Sequence, residues 1–181
     1  MTYDEGMELV KKYVKTKNLV KHMIAVSGCM KSLARYFGED VEKWRLTGLL
    51  HDIDYEWTKD DFSKHGIEGA KMLSEMGLDA DIVYAIKAHP GHVPLKSKLD
   101  IALYSSDPLS GLIVASALMH PSKKLSGIDT SFIMRRFKEK RFAAGANREQ
   151  IKECEKLGIS LEKFIEICLE GMKEVSDELG L

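Results

Sequence analysis

Charge of one sign is what this chain lacks: 27 lysines and arginines face 28 aspartates and glutamates over 181 residues, a formal net charge of −1. That balance excludes a global basic field suited to nucleic acid, and it excludes an acidic tail. Cysteine is scarce. Cys29, Cys154 and Cys168 are odd in number, far apart and in no CxxC spacing, which argues against a disulfide framework and for reduced thiols in a cytoplasm. No apolar run approaches the ~20 residues of a membrane span, and the start, MTYDEGMELVKK, lacks the basic-then-apolar order of a signal peptide. Strand patterning is almost absent as well. The expectation is a cytoplasmic, all-α protein with no membrane partner. It forms one compact domain over 1–181, long enough to bury about 70% of the surface its unfolded form exposes.

What is present is helical periodicity. Met7, Val10, Tyr13 and Val14 mark a short amphipathic helix over 4–16. Leu19, Met23, Val26, Met30, Leu33 and Phe37 repeat at three and four through 19–37, with Asn18 as cap and Gly38 as stop. Asp40 caps 41–53, Ser63 caps 64–76, and Asp79 caps 80–89, which Pro90 ends. HPGHVPLKSK (89–98) reads as a loop, and 98–119 as a long helical stretch with a kink or break at Pro108. Asp129, Asn147 and Ser160 cap helices over 130–141, 148–157 and 160–179. The last carries Leu161, Phe164, Ile165, Cys168, Met172 and Val175, which either cover the core or pair with a second chain as a homodimer.

Several apolar stripes end on the wrong residue type. Val41, Trp44 and Gly48 run on into His51, with Asp52 beside it; His22 shares a face with Val26, Cys29 and Leu33; His89 follows Ile82 and Ile86. His65 opens a helix whose face includes Gly69, Met72 and Leu73, and Asp107 follows Leu99 and Leu103. Singly, His22 reads as a core histidine bonded to a carbonyl, Asp107 as a turn residue before proline, and His65 as part of a helix start. Together they are harder to explain that way. Burying two carboxylates and several imidazoles separately would consume an appreciable share of the ~5–15 kcal/mol that holds a domain folded. Gathering them around a divalent cation turns that cost into binding, and imidazole with carboxylate suits iron, manganese, zinc or similar ions.

In this order, His22, then His51-Asp52, then Asp107 resembles the signature of the HD-domain metal-dependent phosphohydrolases, an all-helical superfamily. KHGIEGAKML around His65 and AIKAHPGH around His89 are similar to the segments that supply second-metal ligands in its two-metal branch, which includes the bacterial diadenosine tetraphosphate hydrolases and the cyclic-dinucleotide phosphodiesterases. The resemblance covers about 22–110, within a ligand-bearing core of about 18–120, and leaves a C-terminal helical extension, 122–181, unmatched. It implies that His22, His51, Asp52 and Asp107 hold one metal and that Asp52 bridges to a second held by His65 and His89. The ions would be iron, manganese or another first-row metal, with magnesium or zinc as alternatives. The implied reaction is cleavage of a phosphoester or phosphoanhydride bond in a nucleotide or similar small phosphorylated molecule by metal-activated hydroxide. Two departures leave the substrate open. Asp54-Tyr55-Glu56 stands where the diadenosine hydrolases usually carry a lysine, and the GYP motif of the cyclic-dinucleotide enzymes is missing.

Other candidates have weaker support. His92, past the Pro-Gly turn, is a leaving-group acid, a substrate contact or a solvent-exposed loop histidine. Asp54 orients a histidine or caps a helix end. The candidate phosphate cations are Lys123 and Lys124, after the helix that begins at Pro108, and Arg135 and Arg141 in the basic segment RRFKEKRFAAGANR (135–148), which also reads as a solvated face. Glu149, Glu153 and Glu155 follow it closely and count against a nucleic-acid surface. Within the enzyme class the alternative is a one-metal nucleotidase, and outside it a non-catalytic nucleotide- or metal-binding regulator on the same scaffold.

Overall fold

The computed structural model describes residues 1–181, and its regular structure is entirely helical. The helices are α1 (Tyr3–Tyr13), α2 (Lys17–Phe37), α3 (Val41–Leu50), α4 (Tyr55–Thr58), α5 (Ile67–Glu75), α6 (Ala80–Ala88) and α7 (Lys98–Met119). They continue with α8 (Thr130–Lys138), α9 (Arg148–Lys152), α10 (Leu161–Lys173) and α11 (Ser176–Leu179). Five side-chain caps act where local sequence places them: Asp40, Asp79, Asp129, Asn147 and Ser160 each accept from a backbone N–H of the first turn.

Elsewhere the expectations fail for local reasons. Asn18 lies inside the first turn of α2, whose N-cap is Thr16. Ser63 belongs to a 3₁₀ turn, Phe62–Lys64, and donates to Asp61 rather than capping α5. That helix starts only after Gly66, which takes φ +73°, and a Cβ there would lie 2.8 Å from the Ile86 carbonyl. The glycine lets the start of α5 meet the end of α6. The expected helix over 41–53 stops at Leu50, so His51 and Asp52 sit in turns beyond its last residue. The expected 160–179 helix is interrupted between α10 and α11.

Pro108 does not break α7, which runs through it. Proline has no N–H to give the Tyr104 carbonyl one turn back, and the Gln150 side chain donates to that carbonyl instead, at 2.9 Å. The repair comes from α9, 46 residues away. α7 is also the one helix long and apolar enough to cross a membrane, and 56% of its most apolar stretch is buried inside the fold.

α2 runs through the middle, with α3, α7 and α10 packed on it. Its Met23, Val26, Cys29, Met30 and Leu33 are fully buried, and α10 lays Phe164, Ile165, Cys168 and Met172 into the same continuous core. The last long helix therefore covers the core. α3 approaches α2 so closely at Gly48 that a Cβ there would stand 2.8 Å from the Cα of Ser27. That contact brings the end of α3 against the first half of α2, and so His51 against His22.

Candidate metal centre

Five segments of the chain converge on one cluster. His22 comes from α2, His51 and Asp52 from the turn after α3, His65 from the residue before Gly66, His89 from the C-cap of α6, and Asp107 from mid-α7. His22 Nε2 lies 3.1 Å from His51 Nε2, 3.1 Å from Asp107 Oδ1 and 3.5 Å from Asp52 Oδ2. On the other side, His65 Nε2 and His89 Nε2 are 3.1 Å apart and each 3.3 Å from Asp52 Oδ1. His51 Nε2 lies between the two sides, 3.5 Å from Asp52 Oδ1. Donor atoms sharing one first-row ion, each about 2.1 Å from it, stand about 3–3.5 Å apart. Most of the separations fall in that range, and the donors are the imidazole and carboxylate atoms such ions accept, so the residues fit divalent metal.

The ring orientations fit equally well. His51 Nδ1–H donates to the Gly48 carbonyl at 2.8 Å, His89 Nδ1–H to the Ile86 carbonyl at 2.6 Å, and His65 Nδ1–H to Asp54 Oδ1 at 2.9 Å. His22 Nδ1–H donates to Ser110 Oγ at 3.2 Å, since the Ser110 hydroxyl itself donates to the Asp107 carbonyl at 2.8 Å. All four rings thus commit the outer nitrogen to a bond and turn Nε2 inward, the tautomer a metal ligand requires. Two Nε2 atoms at 3.1 Å need a positive charge between them, either a proton or a cation.

The electrostatics are consistent with that need. Burial pulls the His51 imidazole down, but the Asp52 and Asp107 carboxylates outweigh it and push its pKa up to about 9. Burial likewise lowers His65 while Asp52 and Asp54 raise it, again to about 9. Burial would raise both site carboxyls, yet His51 with its neighbours holds Asp52 well below the carboxylate range, and His22 and His51 hold Asp107 low. Each proton on His51 or His65 occupies a place a cation would take. Below about pH 9 a metal ion must displace those protons, so manganese affinity is expected to climb with pH and level off above it. Titration calorimetry at pH 7.5 in buffers of different ionisation enthalpy should register net proton release. Loading that moves no protons would contradict this charge arrangement.

Asp54, one of two readings open in the sequence, has a definite position. It is fully buried, accepting from His65 Nδ1–H through one oxygen and from the Gly69 N–H, 2.7 Å away, through the other. Asp54→Ala is expected to weaken metal binding by about 10–100-fold, measured by equilibrium competition with a chelating dye; unchanged affinity would reduce Asp54 to a packing residue. Ser110 and the carbonyls of Gly48 and Ile86 were not named from sequence. Ser110 alone left a signal, one helical turn after Asp107.

The other candidates make no hydrogen bond or ion pair to the cluster. His92 Nε2–H donates to the Phe62 carbonyl at 2.9 Å, tying the 89–98 loop to the 62–64 turn. Arg135 reaches Ser131 at 3.4 Å, while Lys123, Lys124 and Arg141 are exposed, and no hydrogen bond or ion pair links any of the four to a cluster residue. Most of the cluster is sealed, but the His22 and Asp107 side chains keep 26% and 25% of their surface exposed, so the centre opens to solvent on that side.

Comparison with known proteins places this geometry in context. The HD domain family matches residues 19–120, the span that carries all six cluster residues. Ribonuclease Y of Oleidesulfovibrio alaskensis is 33% identical over 96 residues, 53% of this chain and 18% of its own length. Ribonuclease Y of Desulfotalea psychrophila is 28% identical over 163 residues, 83% of this chain and 31% of its own. The chain therefore spans under a third of either of these relatives. An uncharacterized protein of Methanocaldococcus jannaschii is 28% identical over 161 residues, with 84% of this chain and 92% of that one aligned. No solved structure matches significantly.

Proposed function

The chain belongs to the HD-domain family, and from that premise we propose that it is a phosphohydrolase acting on a nucleotide or similar small phosphorylated molecule with two divalent ions. The observation that carries the reading is the division of donors about Asp52, whose Oδ2 faces His22 and whose Oδ1 faces His65 and His89. His22, His51, Asp52 and Asp107 would hold one ion, and Asp52, His65 and His89 the other. Manganese or iron suits these donors, with zinc or magnesium as alternatives. Bound there, such ions acidify water toward neutrality and neutralise phosphoryl charge.

The chain's own residues do the rest. Asp52 supplies a charged oxygen to each donor set, while Asp54, Ser110 and the Gly48 and Ile86 carbonyls hold the four rings with Nε2 inward. The exposed His22–Asp107 side admits the substrate, and burial of the opposite side keeps bulk water out. The test is elemental analysis of protein purified without added metal. Turnover is then assayed with manganese, iron, cobalt or magnesium against nucleoside phosphates, a dinucleoside tetraphosphate, a cyclic dinucleotide and a short single-stranded RNA. Metal-dependent product release with about two ions per chain is expected. Full activity at one ion per chain selects a one-metal nucleotidase, and tight nucleotide binding without turnover under any metal selects a regulator.

Cleavage of an RNA phosphodiester is the second reading, favoured by the Ribonuclease Y names of relatives that share this region. The net charge of −1 counts against it. RNA cleavage that outpaces every mononucleotide, with affinity falling steeply in salt, would select it.

A further inference from the structure

A cavity of about 440 Å³ opens directly beside the exposed side of the cluster, with His22 and its partner Ser110 in its wall. Ala25 of α2 and Val114 and Leu118 of α7 give it apolar sides, and Asn18 and Lys21 stand among its polar lining. That size and that mixture of apolar wall with few polar groups are those of a small-molecule site. Leu179, Gly180 and Leu181 close one side of it, and Gly111, in the interior of α7, completes the lining.

Gly111 calls for an explanation. Glycine inside a helix weakens it relative to alanine, so packing usually accounts for one. Packing does so at Gly28 on α2, where a Cβ would stand 2.6 Å from the Gly171 carbonyl of α10, and at Gly48 on α3. At Gly111 a Cβ would meet no atom within 4 Å, and its φ is not in the left-handed region. Nothing in the protein requires glycine there. A ligand would, because any side chain at 111 would project into the space beside His22 and Ser110.

We propose that this cavity is the substrate's nucleoside pocket: with the phosphoryl group at the metal centre, the heterocyclic base lies between the α2 and α7 walls, its edge toward the Asn18 amide, over the bare backbone of Gly111. The inference rests on the phosphohydrolase reading for its orientation. Aliphatic walls take the faces of a planar ring, and an amide pairs with a polar edge.

The test compares wild type with Gly111→Leu, both as the full manganese-loaded chain, by equilibrium binding of the four common nucleoside 5′-monophosphates and of inorganic phosphate. In wild type at least one nucleotide is expected to bind about 10-fold or more tighter than phosphate. Gly111→Leu should remove about 10-fold of that nucleotide's affinity and leave phosphate within about two-fold, with manganese content unchanged and a melting temperature no lower than wild type. Leu118→Trp, at a half-exposed position, fills the same space from the other end and repeats the test if the first variant folds poorly. Undiminished nucleotide affinity in both filled variants overturns the pocket. So does a wild type that prefers no nucleotide over phosphate. Should wild type bind neither phosphate nor nucleotide, the phosphoryl reading of the centre falls, and the pocket with it.

Discussion

Asp52→Asn should cut metal-dependent phosphate release by on the order of 10³-fold or more and lower the bound metal. The side chain keeps its size but loses its charge, and one of its two oxygens becomes an NH₂ group. Asp52 sits 3.3 Å from both His65 Nε2 and His89 Nε2 through one oxygen and 3.5 Å from His22 Nε2 through the other. An amide cannot serve both sides as an acceptor. Whichever way it turns, it points a donor at imidazole nitrogens that need a cation. The loss should appear in kcat with every substrate in the panel, since it concerns the reacting group and not the recognition of a base. A fully active Asp52→Asn protein, or one that retains its full complement of metal, would remove the basis for the assignment. Gly111→Leu, by contrast, is expected to weaken the binding of nucleotides and spare that of inorganic phosphate, so the two variants separate the centre from its pocket.

Arg148→Ala is expected to destabilise the protein by about 3 kcal/mol, a fall of roughly 6–12 °C in melting temperature for a chain of this size. In the sequence Arg148 belongs to the basic segment offered as a phosphate contact. In the structure its guanidinium faces inward, donating to the carbonyls of Phe137 at 3.1 Å, Ala143 at 2.8 Å, Ala146 at 2.7 Å and Phe142 at 2.5 Å. It closes the turns between α8 and α9 by satisfying the Phe137 carbonyl, which the end of α8 leaves free, and three carbonyls of the turns themselves. Arg148→Lys should recover only part of the loss, because an ammonium on a flexible stem cannot reach the same fork of acceptors. Thermal unfolding monitored by circular dichroism decides it. A melting temperature within about 1 °C of wild type for Arg148→Ala would mean that these bonds merely replace equally good ones to water.

Much of the fold was legible because it is written at short range. The caps Asp40, Asp79, Asp129, Asn147 and Ser160 act on N–H groups two or three residues ahead, and apolar periodicity marks which face each helix buries. Ser63 misled because a hydroxyl can serve a neighbouring carboxylate as readily as a helix end. Pro108 misled because its local effect, an orphaned carbonyl, is repaired from another helix.

The identities of the six cluster residues were also available from sequence, because an imidazole or carboxylate that continues an apolar stripe is an electrostatic anomaly wherever the stripe goes. Their meeting was not. His22 finds Ser110 across 88 residues of chain, and His65 finds Asp54 only because Gly66 bends the backbone against α6. Residue type and spacing thus determined the helical class, most helix starts and which side chains water would not suit. The tertiary packing alone decided which nitrogen of each ring faces inward, that Arg148 serves carbonyls, and that Gly111 fronts open space. Those three depend on distances between segments remote in sequence, and helical periodicity carries no information about a distance across the core.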